Sequence, residues 1–162
     1  MDITTGEFLS TQITWGNTVN KLTDELAKFS PSEVIVNSEF MEDESLIANI
    51  RKRFHFYMSK FDDSNFEYSF AANKIKKKFG QCEILKMDYS LSVNAAGALL
   101  EYLEQTQKVN LDHIQSLNVY KVEEFMVLDA ATRRNLELTE TMRERSRKGS
   151  LLWVLDKTMT SM

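Results

Sequence analysis

Asp2 is the residue around which metal-dependent chemistry could be built, because hydrolysis of phosphodiesters needs converging carboxylates that hold magnesium. It is followed by Thr4, Thr5 and Gly6, so the segment is a candidate nuclease or phosphotransfer loop. A tight turn requires the same residue types, and the sequence favours that interpretation. The other carboxylates that could share a metal with it are Asp62, Asp63 and Asp88, and none of them has a recognised metal spacing. Asp62 and Asp63 also lie where a helix cap is expected.

Two basic clusters could contact phosphate groups, each neutralised phosphate adding salt-dependent affinity. A solvated helix face is the commoner explanation for such clusters. The net charge of -4 gives no overall basic field, so any contact with nucleic acid has to come from local patches. The candidate residues for a weak phosphate or partner surface are Arg51, Lys52, Arg53, Lys74, Lys76, Lys77 and Lys78.

Acidic and basic residues alternate near residue 133, where an ion-pair network could orient neighbouring helices. We interpret this set as structural, with Glu140 as a further nearby acid. The charged segment 143–148 is expected to be an exposed connection. The candidate core-orienting or interdomain residues are Asp129, Arg133, Arg134, Asn135 and Glu137.

No catalytic, cofactor-binding or metal-binding residue is predicted. His55 and His113 lack a third ligand at metal spacing, so both are interpreted as hydrogen-bonded structural residues. Cys82 is the only cysteine, which excludes an internal disulfide and a thiolate-rich zinc site within one chain. A reducing compartment fits best. Hydrophobic residues make up 43% and charged residues 27% of the 162, as in folded proteins, and no apolar stretch is long enough for a membrane helix. We therefore expect a cytoplasmic protein without a membrane partner.

Strands alternate with helices over the first half of the chain. Residues 6–13 alternate in polarity as a strand does, and a second strand is expected to end at Ile3. A helix is predicted from Thr18 to Phe29, then a strand at 33–36, a helix with Leu46, Ile47 and Ile50 inward, and a strand at 54–58. This order predicts an α/β layer in which crossover helices cover a sheet.

Two further helices follow. The residues at 62–64 are expected to cap a helix that ends at Gly80 and packs through Phe66, Phe70, Ala71, Ile75 and Phe79. Residues 92–108 form the clearest helix, with Leu100 among its apolar residues and Gly97 among small residues that allow close approach. We expect this helix to be buried on more than one side and to bridge the two halves of the chain.

The second half has a different character. Two short strands are predicted at 116–122 and 125–128, followed by a helix that Asp129 caps and that presents Leu136. The segment 151–155 carries leucines and a valine that need a partner surface.

Several segments resemble the MutS family of bacterial mismatch-repair proteins. They are DITTGEF at 2–8, AGALLEYLEQTQ at 96–107, LDHI at 111–114, MVLDAATRRNLEL at 126–138 and GSLLWVLDKTMTSM at 149–162. Their order and spacing match the family throughout. Residues 14–80 are the least diagnostic part, and the segment from Met126 to Leu138 is the most specific. The family pattern continues beyond both ends, so the chain is expected to be a fragment.

The resemblance implies a ribonuclease H-like connector domain at 1–90 with its first strand missing, a linking helix at 91–108, and the start of a mostly helical core domain at 109–162. It also implies that this chain couples the mismatch-binding and ATPase domains of the parent protein and offers a surface that MutL binds. Partners would be the remaining MutS domains and, through a homodimeric parent, mismatched double-stranded DNA. ATP and magnesium would be bound by the parent, since this sequence lacks the GxxxxGK[ST] phosphate loop. The fragment itself is expected not to be an enzyme. The alternative is a ribonuclease H-like metal-dependent nuclease.

Overall fold

The computed structural model describes residues 1–85, 89–107, 111–122, 128 and 130–158. Helices dominate, and the strands are short. The strands are β1 (Leu9–Ser10), β2 (Glu33–Val36), β3 (Tyr57–Lys60) and β4 (Asn118–Val119). The α-helices are α1 (Thr18–Phe29), α2 (Ser38–Glu42), α3 (Glu44–Arg53), α4 (Tyr68–Phe79), α5 (Ser90–Gln107), α6 (Ala130–Asn135) and α7 (Leu151–Leu155). Single 3-10 turns cover Asp63–Phe66 and Glu83–Leu85.

The strands form two parallel pairs. β1 pairs with β4, placing Leu9 opposite Asn118, and β2 pairs with β3, placing Glu33 opposite Tyr57. Helices α2 and α3 connect β2 to β3, as parallel pairing requires a crossover. The predicted α/β class is therefore confirmed, although the described strands make two small sheets and not one continuous layer.

Four strand predictions need correction. No strand ends at Ile3, because Gly6 donates to the Asp2 carbonyl at 3.0 Å and closes a turn. The predicted strands at 6–13 and 116–122 shrink to the residues where β1 and β4 meet. The strand expected at 54–58 begins at Tyr57, since Phe54 still closes α3 by donating to the Ile50 carbonyl. Of the strand expected at 125–128, residues 125–127 lie outside the described residues.

Helix α1 has the predicted bounds for local reasons. The Asn17 side chain accepts from the Asn20 amide at 3.2 Å and caps the first turn. Ser30 has a left-handed backbone with φ 43°, donates to the Leu26 carbonyl, and precedes a proline that cannot continue the helix. In α3, Ile47 and Ile50 are buried as predicted.

Helix α4 confirms part of its predicted inner face. Ala71 and Ile75 are fully buried and Gly80 ends the helix with φ 70°. Phe70 is 38% exposed, so its assignment to the inner face was wrong. Asp62 caps the 3-10 turn and not α4 itself, because α4 begins five residues after Asp63.

Helix α5 lies in the main hydrophobic core. Its residues Val93, Leu100 and Leu103 pack with residues from both earlier and later segments, and each fully buried side chain stabilises the fold by about 1.5–3 kcal/mol. Gly97 allows α4 to approach closely, as its small size predicted. Among the described residues, no helix combines the length and apolar character needed to cross a membrane. The core residues from outside α5 are Phe8, Ala71, Ile75, Ile84, Leu111, Ile114 and Leu117.

The same core therefore includes residues on both sides of the predicted linking helix. The pairing of β1 with β4 also joins the beginning of the chain to residue 119. The boundaries at 90, 91 and 109 remain predictions, but the packing groups residues 111–119 with the first segment.

Candidate functional site

The Asp2 carboxylate is used by its own turn. It accepts hydrogen bonds from the amides of Thr4 at 2.8 Å and Thr5 at 3.4 Å. The Thr4 amide is the main reason that the pKa of Asp2 lies below its ordinary value. The turn interpretation of this segment is therefore confirmed.

Asp62 and Asp63 also serve local structure. Asp62 accepts from the Ser64 amide and hydroxyl at 2.9 and 2.7 Å, while Asp63 accepts from the Ser38 amide, the first amide of α2, at 2.7 Å. These hydrogen bonds lower the pKa of both carboxyls. Asp88 lies outside the described residues. Within the described part of the chain, no three His, Cys, Asp or Glu residues form a possible metal site, so the nuclease alternative has no support there.

The first basic cluster occupies the end of α3. Arg51, Lys52 and Arg53 are all exposed and belong to the last turn of this helix. Cations there interact favourably with the helix dipole, which accounts for their position without any ligand. Their exposure also leaves them accessible to an anionic partner.

The second basic cluster divides into two kinds of residue. Lys74 Nζ lies 2.5 Å from Glu101 Oε2 and 2.6 Å from Glu104 Oε2, so it joins α4 to α5. Lys78 Nζ donates to the Leu111 carbonyl at 2.7 Å and lies 3.8 Å from Asp112. These two lysines therefore bind the protein itself. Lys76 and Lys77 are exposed.

The Lys74 contacts have opposing effects on protonation. Burial lowers the pKa of Lys74, but its hydrogen bonds with Glu101 and Glu104 raise the pKa above the ordinary value. The pKa of Glu101 is lowered, chiefly by the hydrogen bond from Lys74. Both shifts favour the charged pair.

The core-orienting candidates lie on and after α6. Arg133 is half-buried, Arg134 and Asn135 are exposed, and Asp129 lies outside the described residues. Among the ion pairs of the described residues, none joins Arg133 or Arg134 to an acidic residue. The predicted ion-pair network is therefore not seen in the described part of the chain.

Glu137 connects α6 to the segment that follows. It has a left-handed backbone with φ 48°, and its side chain accepts from the Met142 amide at 2.6 Å. Its carbonyl accepts from the Leu151 amide at 2.9 Å, next to the fully buried Ser150 that caps α7. The charged residues at 143–145 and 147–148 are exposed as expected. Helix α7 is exposed throughout, consistent with the expectation that its apolar residues need a partner surface.

The structure also shows two tyrosine–glutamate pairs that the sequence did not indicate. Tyr102 of α5 donates to Glu33 Oε1 of β2 at 2.5 Å, and Tyr120 donates to Glu25 Oε2 of α1 at 2.5 Å. The hydrogen bond raises the pKa of Tyr102, whereas burial first and the hydrogen bond second raise the pKa of Tyr120. The partners are 69 and 95 residues apart, so no local pattern could identify them.

Several polar side chains join segments that are distant in sequence. The Gln12 side chain accepts from the amides of Leu91 and Ser92 and so caps α5 from the β1 side. The His113 ring bonds to the Ile3 carbonyl at 2.9 Å, in agreement with the structural role predicted for this residue. The Gln12 and His113 contacts therefore join segments of the fold that are distant in sequence.

Cys82 is a free, partly buried thiol.

The arrangement defines a small α/β packing unit in which the described candidate carboxylates and two of the candidate lysines make structural contacts. Residues 1–115 match the family described as MutS domain II, and because this is more than half of the chain, the chain belongs to that family.

Relatives match over the whole chain. The DNA mismatch repair protein MutS of Acetivibrio thermocellus is 62% identical over 162 residues, and that of Ruminiclostridium cellulolyticum is 58% identical. The protein of the same name from Alkaliphilus oremlandii is 46% identical over 170 residues. Each match covers 100% of this chain but only 19% of the relative. The chain thus corresponds to a segment of DNA mismatch repair proteins and spans about a fifth of the length of these relatives.

Proposed function

We propose that this chain is the connector and the beginning of the core of a DNA mismatch repair protein, coupling the mismatch-binding part to the ATPase part. The single observation that carries the proposal is the 62% identity to a MutS protein along the full chain. The use of the candidate carboxylates in turns and caps supports a part without chemistry of its own.

The proposal includes a setting and partners. The parent would be a homodimer in the bacterial cytoplasm that binds mismatched DNA, ATP and magnesium through its other domains. The connector would have a ribonuclease H-like fold and offer surface for MutL. The exposed apolar residues of α7 favour packing against a further partner, and we propose that this partner is one of the remaining MutS domains.

A chimera tests the coupling. The 162-residue segment replaces the matching segment of the A. thermocellus protein, and mismatch binding, ATP hydrolysis and ATP-dependent MutL recruitment are measured. We expect all three to be retained. A Gly97→Ala version should keep ATP hydrolysis but reduce mismatch-stimulated MutL recruitment, because its methyl group forces α4 away from α5. Ala95→Ser on the exposed side of α5 is the matched control.

The isolated chain provides a second test, in which we expect neither activity. Purified by itself, it should neither hydrolyse ATP nor prefer a mismatched over a matched duplex at fixed salt. Clear mismatch selectivity would contradict the proposal. Magnesium-dependent cleavage that disappears on Asp2→Asn would favour the nuclease alternative.

We further propose that Arg51 and Arg53 form part of a weak phosphate or partner surface with Lys76 and Lys77. Reversing Arg51 and Arg53 to Glu in the chimera should weaken DNA binding and reduce the salt slope by about one unit per lost phosphate contact. If these cations bind MutL instead, DNA binding and its slope stay unchanged while MutL recruitment falls. Reversal of the exposed Arg143 and Lys148 is the matched control. Equal effects of both pairs would reject a specific surface.

A further inference from the structure

Helix α1 is attached to the protein differently from α4 and α5. None of its residues belongs to the main hydrophobic core, and Thr23 is its only buried residue. Val19 and Phe29, on its apolar face, remain 44% and 45% exposed. Because little apolar surface is fully buried, specific contacts must account for much of its attachment.

One cluster provides such contacts. The Tyr120 hydroxyl donates to Glu25 Oε2 at 2.5 Å, and Lys28 Nζ lies 3.7 Å from the same oxygen. Lys28 Nζ also lies 4.7 Å from the Tyr120 ring centroid and 4.9 Å from that of Phe29. The Phe29 and Tyr120 rings are 6.2 Å apart. A charge-assisted hydrogen bond and a cation over two rings thus meet at Tyr120.

The backbone of Tyr120 is fixed to the first sheet. Its amide donates to the Ser10 carbonyl at 3.1 Å, and its carbonyl accepts from Thr11 Oγ1 at 2.7 Å. Tyr120 therefore connects β1 on one side to α1 on the other. Helix α1 also contacts α6, which belongs to the segment after residue 128.

We propose that α1 is a relay helix, fixed to the sheet by the Tyr120–Glu25 contact and in turn positioning α6. The inference rests on the proposed coupling function and assigns it a route. The sequence predicted α5 as the bridge between the two halves of the chain, but its burial in the core makes its displacement costly. Helix α1 can shift without opening that core, and α6 would follow it.

Hydrogen exchange of the full 162-residue chain tests the relay. Tyr120→Phe keeps the ring and removes only the hydroxyl. It should raise amide exchange in α1 and in α6 on the order of tenfold to a hundredfold, because a hydrogen bond to a charged group is lost. Exchange in α4 and α5 should stay unchanged.

Tyr102→Phe is the matched control. It removes the other tyrosine–glutamate hydrogen bond, which joins α5 to β2, and should leave α1 and α6 unaffected. Glu25→Ala removes the acceptor of this hydrogen bond and should reproduce the pattern of Tyr120→Phe, and the double variant should add little to either single change, since both remove the same contact.

Three results would overturn the relay. They are unchanged exchange in α1 in the Tyr120 variant, faster exchange in α1 without any change in α6, and an equal rise throughout α4 and α5. The readout requires neither DNA nor ATP. A chimera that fails to couple would reject the proposed function and leave the α1 contact standing, whereas a negative exchange result would reject the relay alone.

Discussion

Replacing Gly97 with alanine should destabilise the fold, because this glycine lies where α4 and α5 are closest. A Cβ at position 97 would stand 2.4 Å from both Cα and Cβ of Ala71 and 2.9 Å from the Ala71 carbonyl oxygen. Ordinary carbon contacts are about 3.5–4.0 Å, so the two helices would have to separate by roughly 1 Å.

The magnitude follows from two opposing effects. Overpacking of a close interface costs about 1–3 kcal/mol or more, whereas alanine is favoured over glycine within a helix by about 1 kcal/mol. Separation of the helices also weakens the packing of the neighbouring core side chains. We expect a net loss of about 1–3 kcal/mol in the free energy of unfolding, or a fall of roughly 2–10 °C in Tm.

Urea and thermal unfolding followed by circular dichroism would measure this effect. Ala95→Ser adds one heavy atom at an exposed position of the same helix and should cost no more than about 0.5 kcal/mol. Adding Ala71→Gly to Gly97→Ala should restore only part of the loss, because the Ala71 Cα would still lie 2.4 Å from the new methyl group. An unchanged or increased stability of Gly97→Ala would refute the close contact between these helices.

Three further changes test other contacts. The pKa of Glu101 is lowered from 4.5, so the stability that Glu101 gains from Lys74 is present above about pH 4.5 and is lost as the pH falls further. Lys74→Met should therefore flatten the pH dependence of the unfolding free energy in this range by about 0.5–1 kcal/mol. An unaltered pH profile would contradict this expectation. Gln12→Ala removes the cap of α5, which should lower the free energy of unfolding by about 1 kcal/mol and speed hydrogen exchange of the first amides of α5. Unchanged protection of these amides would contradict the capping role of Gln12. Gly6→Ala should cost about 1–3 kcal/mol in urea unfolding, because φ is +76° and the His113 carbonyl oxygen would be 2.7 Å from the new Cβ; a fully stable variant would argue against this geometry.

Local signals predicted the elements whose limits are set locally. Helix α1 and strand β2 have the predicted bounds because Ser30, Pro31 and Asn37 interrupt the chain on either side of β2. Strands β1 and β4 were predicted too long because their pairing depends on residues more than 100 positions apart. Backbone propensity carries no information about such a partner.

The candidate surfaces show the same limit. The sequence placed four lysines on α4, but it could not show that Lys74 faces Glu101 and Glu104 or that Lys78 faces Leu111. The α4–α5 contact decides which lysines remain accessible. Conversely, the apolar composition of 151–155 was enough to indicate a segment without a buried partner, and α7 is exposed throughout.

Unequal attachment of the elements indicates where movement can occur in this chain. Helices α4 and α5 share fully buried residues and the Lys74–Glu101 pair, so separating them exposes apolar surface and breaks an ion pair together. Helix α1 is held instead by a cluster with a half-exposed ring and a polar hydrogen bond, and its loss would leave that core intact. A force applied through α6 should therefore displace α1 before it disturbs α5. Coupling by this route requires only two positions for α1 on a sheet that stays folded, which is a smaller change than moving a helix through a packed interior.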